Sequence, residues 1–133
     1  MNQNERVISA PVVTPEIAPY FEAAGQGKLL VKYCTDCNKY HAYPRALCPF
    51  CFSDKTEWRE ASGGGRIYSY SVLRRGVPVP YVLAYVTLDE GVTMVSNIVD
   101  CDFDKVRVND RVRVVFKPSD GEWQVPVFTP VDE

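Results

Sequence analysis

Histidine occurs once in these 133 residues, as His41, so a nucleophile set built on an imidazole base has a single candidate. That candidate lies between two cysteine pairs, and the sequence commits it to neither a serine nor a carboxylate. No catalytic residues are therefore assigned. Long apolar runs are also lacking: none approaches the ~18 residues a membrane span requires, and no basic stretch leads into one. The expectation is a soluble, cytoplasmic protein with no membrane partner. Basic excess is missing too, since 15 Lys and Arg stand against 17 Asp and Glu, a net charge of −2. No global field draws such a chain to phosphate backbones. Gly63-Gly64-Gly65 lacks the lysine and following helix of a phosphate loop, and reads as a flexible hinge. Asp100, Asp102 and Asp104 alternate without the spacing of an EF-hand, and read as a solvated turn.

What is present points to strands. Ten prolines and eight glycines punctuate a chain rich in tyrosine, valine and phenylalanine. Thr14-Pro15-Glu16 supplies an N-cap, a first-turn proline and an early carboxylate, so a helix should follow, split by Pro19 and stopped by Gly25-Gln26-Gly27. Residues 28–33, 40–43 and 57–60 read as three ribbon strands, and Ser62-Gly63-Gly64-Gly65 marks the break after them. Beyond it, residues 66–74 alternate, with Ile67, Ser69 and Ser71 on one face and Tyr68, Tyr70 and Val72 on the other. Strands at 81–88 and 92–99 are joined by Asp89-Glu90-Gly91. Two more, starting at Arg111 and Trp123, are joined across Asp120-Gly121. Five strands with longer connections after the first and third suit a closed Greek-key barrel of the OB type, with an open meander as competitor. The fold expected is mainly β: an arm with a short helix (1–27), a ribbon (28–62) and a five-stranded barrel (63–133).

Five cysteines are an odd number, and four form two C-x-x-C pairs, Cys34/Cys37 and Cys48/Cys51, separated by ten residues. That arrangement fits a metal in a reducing compartment better than a disulfide framework. Two such turns each deliver two sulfurs to one point, as a tetrahedral structural zinc site requires. Cys48-Pro49-x-Cys51 also occurs in rubredoxin, where the same tetrahedron holds iron, so Zn²⁺ is the expected ion and iron the alternative. A redox disulfide would need a thioredoxin-like βαβ setting, which is absent. His41 reads as a surface or strand residue, not a fifth ligand. Cys101, flanked by Asp100 and Asp102, reads as a partly buried inert thiol.

Tyr68, Tyr70, Tyr81 and Tyr85 beside Arg66, Arg74 and Arg75 raise a second reading, a single-stranded nucleic-acid-binding OB-fold. The acidic balance of the chain weighs against it.

Taken together, the residues resemble the acyl-CoA-associated proteins that join an N-terminal helical arm, a rubredoxin-like zinc ribbon and a C-terminal OB-fold. The matching stretches are Thr14-Pro15-Glu16, Gly27-Lys28-Leu29-Leu30, Cys34-x-x-Cys37, Pro44-Arg45-x-x-Cys48-Pro49-x-Cys51, Gly65-Arg66-Ile67-Tyr68-Ser69-Tyr70, Pro80-Tyr81-Val82-Leu83-Ala84 and Leu88-Asp89-Glu90-Gly91. The resemblance implies a non-catalytic accessory subunit that pairs with a thiolase-like enzyme, a hydratase or an aldolase, and that helps bind the CoA thioester. Where that family often has glycine after each second cysteine, this chain has Asn38 and Phe52, so an altered second turn is expected. The loop from Arg74 to Tyr81 sets Arg74 and Arg75 beside Pro78, Pro80 and an aromatic expected to be exposed, and is the expected partner- or CoA-facing surface.

Overall fold

A computed structural model describes residues 8, 11–41, 45, 47–121 and 123–131. The short helix α1 spans Ala18–Ala24, and Pro19 stands in its first turn instead of splitting it. First-turn N–H groups have no intrahelical acceptor, so proline costs nothing there. Thr14 does not cap α1. Its carbonyl accepts from the N–H groups of Ile17 and Ala18 at 3.1 and 2.9 Å, closing the turn that precedes the helix. At the other end Gly27 takes φ 79°, which lets the Lys28 N–H reach back to the Ala23 carbonyl at 2.9 Å.

The ribbon is an antiparallel sheet in the order β2-β1-β3, from β1 (Leu30–Cys34), β2 (Lys39–His41) and β3 (Thr56–Glu60). Of the return strand expected over 40–43, Ala42 and Tyr43 lie outside the described residues. Five further strands make the barrel: β4 (Gly64–Leu73), β5 (Tyr81–Leu88), β6 (Thr93–Ile98), β7 (Arg111–Pro118) and β8 (Gln124–Pro130). They close in the order β4-β5-β6-β8-β7, with β4 returning to β7 through Gly64–Arg66. The β6–β8 contact is parallel, Ile98 opposite Phe128, and needs the long connection between β6 and β7. An open meander would have left β4 and β8 with free edges.

The alternation read along β4 fails at one point. A β-bulge between Ile67 and Ser69 leaves Tyr68 unpaired and 68% exposed, and shifts the phase by one residue. Ile67 therefore shares the core with Tyr70 and Val72 instead of with Ser69 and Ser71. The four tyrosines of the nucleic-acid reading consequently do not form one platform: Tyr68 and Tyr85 are exposed, whereas Tyr70 and Tyr81 are half-buried.

Nor is the triple glycine a hinge. The Gly63 and Gly64 carbonyls accept from Val114 and Asp89 at 2.7 and 3.0 Å. Gly65 is buried so tightly that a Cβ would lie 2.7 Å from the Thr87 carbonyl oxygen. Glycine is needed here for close approach of β4 to β5, not for freedom.

One apolar cluster runs through both modules. Tyr20, Leu29, Val31 and Ala61 join Ile67, Val82, Val86, Leu88, Val112 and Phe128, and Phe21 of α1 meets Trp123 of the barrel at a ring distance of 6.2 Å. The helix thus ties ribbon to barrel.

Candidate metal centre

β1 ends on Cys34, and the chain turns at once through Thr35-Asp36-Cys37. The Asn38 N–H donates to the Cys34 carbonyl at 2.9 Å. In the second turn the Phe52 N–H donates to the Cys48 carbonyl at the same 2.9 Å. Asn38 takes φ 57° and Phe52 φ 62°, so the two turns are built alike and the altered second turn expected from Phe52 is not found. The left-handed conformation costs a non-glycine residue about 1–2 kcal/mol, and an exposed phenylalanine has little burial to offset it. Phe52 is 75% exposed. Phe52→Gly is expected to stabilise the protein by roughly 0.5–1 kcal/mol, the relief of strain less the extra flexibility of unfolded glycine. A urea titration that shows a loss would mean that the ring makes contacts which outweigh the strain.

The four sulfurs lie within 4.8 Å of one another. Cys34 and Cys51 are 3.6 Å apart and Cys37 and Cys48 3.7 Å. A tetrahedron with Zn–S bonds of ~2.3 Å has edges of about 3.8 Å, so the donor set and its dimensions fit such an ion. Cross-links hold the turns in place. The Cys48 N–H donates to the Ser53 carbonyl, the Thr35 N–H to the Lys55 carbonyl, both at 2.9 Å, and the Ser53 hydroxyl to Asp36.

The thiols differ. Burial pushes Cys48 up, but backbone N–H groups of Cys51 and Phe50 and the thiols of Cys37 and Cys51 bring it down to about 7. Burial first, then the three neighbouring sulfurs, push Cys37 up to about 12. An ion that binds all four as thiolates must displace these protons, so its affinity weakens as pH is lowered.

Residues 21–57 match the ChsH2 rubredoxin-like zinc ribbon domain, and residues 58–117 the ChsH2 C-terminal OB-fold domain. The solved structure of the Ltp2-ChsH2(DUF35) aldolase contains a chain that is 34% identical, with a TM-score of 0.78 over 91% of this chain and 98% of that one. The chain belongs to the ChsH2 (DUF35) family. A DUF35 domain-containing scaffold protein of Methanothermobacter thermautotrophicus is 40% identical over 63% of this chain and 68% of its own length. A probable enoyl-CoA hydratase alpha subunit of Thermomonospora curvata is 35% identical over 90% of this chain, which spans only 39% of that subunit.

The other residues singled out in this ChsH2-family chain lie away from the four sulfurs or beside them without joining the set. Arg74 packs its guanidinium 5.5 Å from the Phe103 ring and 4.0 Å from Asp104. Arg75, Pro78 and Pro80 are exposed, and Tyr81 is half-buried at the start of β5, not exposed. His41 is in β2 and 5% exposed, opposite Lys32, which is itself buried with its ammonium 4.2 Å over the Trp58 ring. Cys101 is half-buried, and burial, then Asp100 and Asp102, push its thiol up. No helix among the described residues is long and apolar enough to cross a membrane.

Sequence reasoning missed the polar clasp where ribbon meets barrel. Arg111 donates to both Asp89 oxygens at 2.6 and 2.8 Å, and the Ser62 hydroxyl adds a third bond at 3.2 Å. The Arg111 bonds first, then Ser62 against some burial, hold the Asp89 carboxyl below the usual carboxylate range. Its folded pKa lies below its unfolded one, so the stabilisation is present above ~pH 4 and is lost as pH falls through the depressed value. Asp89→Asn is expected to cost about 1 kcal/mol in urea unfolding at neutral pH, because the pair is partly exposed. As pH falls through the depressed value and the carboxyl is protonated, the difference between variant and parent should close. A cost that persists there would assign the effect to packing.

Proposed function

We propose that this chain is a non-catalytic accessory subunit that docks onto an acyl-CoA-processing enzyme of aldolase, hydratase or thiolase-like type, in the cytoplasm. One observation carries the reading: the chain matches, nearly end to end, the ChsH2 component of an aldolase assembly. The scaffold name of the Methanothermobacter relative and the hydratase name of the Thermomonospora one support it. In this reading Cys34, Cys37, Cys48 and Cys51 hold a structural Zn²⁺. Four protein thiolates complete the coordination sphere and leave no position for a reacting water, so the ion shapes the ribbon while the partner supplies the chemistry. Iron is the competing occupant, and a red protein would identify it.

The proposed partner- or CoA-facing surface is the loop between β4 and β5, with Arg74, Arg75, Pro78, Pro80 and Tyr81. Two guanidinium groups there are suited to carboxylate or phosphate. Affinity capture of the chain from its own host, with mass spectrometry of what it brings down, tests the assignment. An acyl-CoA enzyme in fixed ratio is expected; recovery of free monomer alone would sink it. Replacing Arg74 and Arg75 together by alanine is expected to weaken that association roughly tenfold, about 1.4 kcal/mol. Unchanged affinity and turnover would remove the loop from the interface.

A further inference from the structure

We propose that the metal centre is also a peroxide-reactive site, in which oxidation begins at Cys51 and ends in a Cys34–Cys51 disulfide. The inference rests on the reading of the four cysteines as metal ligands, and adds to it a direction and an order of events.

The four cysteines are equivalent as ligands but unequal in exposure to solvent. Cys34 and Cys48 are fully buried, Cys37 is intermediate, and Cys51 is exposed. Cys51 lies in the second turn between Phe50 and Phe52, which are 56% and 75% exposed. A ligating cysteine is held as thiolate, the nucleophilic form. Accessible thiolates are the ones that enter the oxidation ladder. Thus a dissolved hydroperoxide meets Cys51 first.

The second step needs a partner within reach. The sulfur of Cys34 is 3.6 Å from that of Cys51, across the two turns, while the Cys48 sulfur, which also interacts with Cys51, lies 3.7 Å from Cys37 and is engaged by the Phe50 N–H at 3.4 Å. In the first step the Cys51 sulfur bonds to one oxygen of hydrogen peroxide, the O–O bond breaks and hydroxide leaves, giving a sulfenic acid. The Cys34 thiolate then attacks the Cys51 sulfur; the S–S bond forms, the S–O bond breaks and a second hydroxide leaves. Two thiolates have lost two electrons, and one peroxide has become two hydroxides, neutralised by solvent protons. Only Cys37 and Cys48 remain as ligands, too few to retain the ion.

Cys101 provides an internal reference. It is half-buried, donates to the Ile98 carbonyl at 3.7 Å, and lies between two carboxylates that disfavour its thiolate. It should stay reduced while the metal centre reacts.

The test uses the zinc-loaded full chain and a Cys101→Ser variant. Bound zinc is measured first; less than about one ion per chain would sink the metal assignment itself, before any oxidant is added. Hydrogen peroxide is then supplied at one equivalent, with release read by a chromogenic zinc chelator and disulfides mapped by mass spectrometry. The expected result is one zinc released per peroxide consumed, a Cys34–Cys51 disulfide as the first product, and the same rate in Cys101→Ser. A first disulfide within either C-x-x-C pair, oxidation of Cys101 before metal release, or full retention of zinc would each overturn the proposal.

Discussion

Replacing Cys48 by alanine is expected to abolish stoichiometric metal binding and to unfold the ribbon while the barrel strands remain protected. Cys48 is fully buried, and its sulfur accepts the Phe50 N–H while sitting 3.7 Å from Cys37. Three thiolates around a divalent ion leave a buried, solvent-poor coordination position that alanine cannot fill. Structural zinc in small modules contributes roughly 10–16 kcal/mol of apparent binding energy, most of which appears as folding energy. A module the size of this ribbon buries too little apolar area to fold without it. Cysteines aside, its buried apolar residues among those described are Leu29, Val31 and Ala61, with Leu30, Tyr40 and Trp58 partly buried, all joined to the cluster shared with α1 and the barrel. Amide exchange should therefore show loss of protection over β1 to β3, with β5, β7 and β8 nearly unchanged, and partner capture should fail in the same variant. Retention of one ion per chain with full ribbon protection would refute the structural role. Stripping the metal from the parent with a chelator should reproduce the pattern, which separates loss of the ion from any local effect of the substitution.

Phe128→Ala should act on the other half of the molecule. The ring is fully buried on β8, at the point where the strand pairs with Val114 of β7 on one side and Ile98 of β6 on the other. Truncation leaves a cavity that closely packed neighbours on three strands cannot collapse into, with an expected cost of about 3–5 kcal/mol. In thermal unfolding that corresponds to a midpoint lower by roughly 10–18 °C. Below the new midpoint the variant should still bind one zinc, because none of the ligands depends on β8. A loss under 1 kcal/mol would show that the barrel closes without this ring.

The cluster of four cysteines was legible because its chemistry is local. A C-x-x-C turn brings its two sulfurs together through a few backbone dihedrals, and two such turns across a short hairpin need no information from the rest of the chain. Strand existence was legible for the same reason. Residues 81–88 read as a strand ended by Asp89-Glu90-Gly91, and β5 occupies Tyr81–Leu88. The closed barrel followed from strand number and connection length, since the long stretch before Arg111 leaves room for β6 and β8 to pair in parallel.

The tertiary structure decided matters in which one residue answers to a distant one. The bulge at Tyr68 arises because β4 must pair with β5 along its length and with β7 at its start, and no period in the sequence encodes that double demand. Gly65 looked like freedom and is a contact, because its neighbour, Thr87, comes from the next strand. Asp89 meets Arg111, and Cys51 meets Cys34, across 22 and 17 residues. Hence the residues alone were enough to name the four clustered cysteines and the layers around them. Which cysteine is exposed, which tyrosine leaves the core and where the modules are clasped are properties of non-local packing, which short-range patterns do not carry.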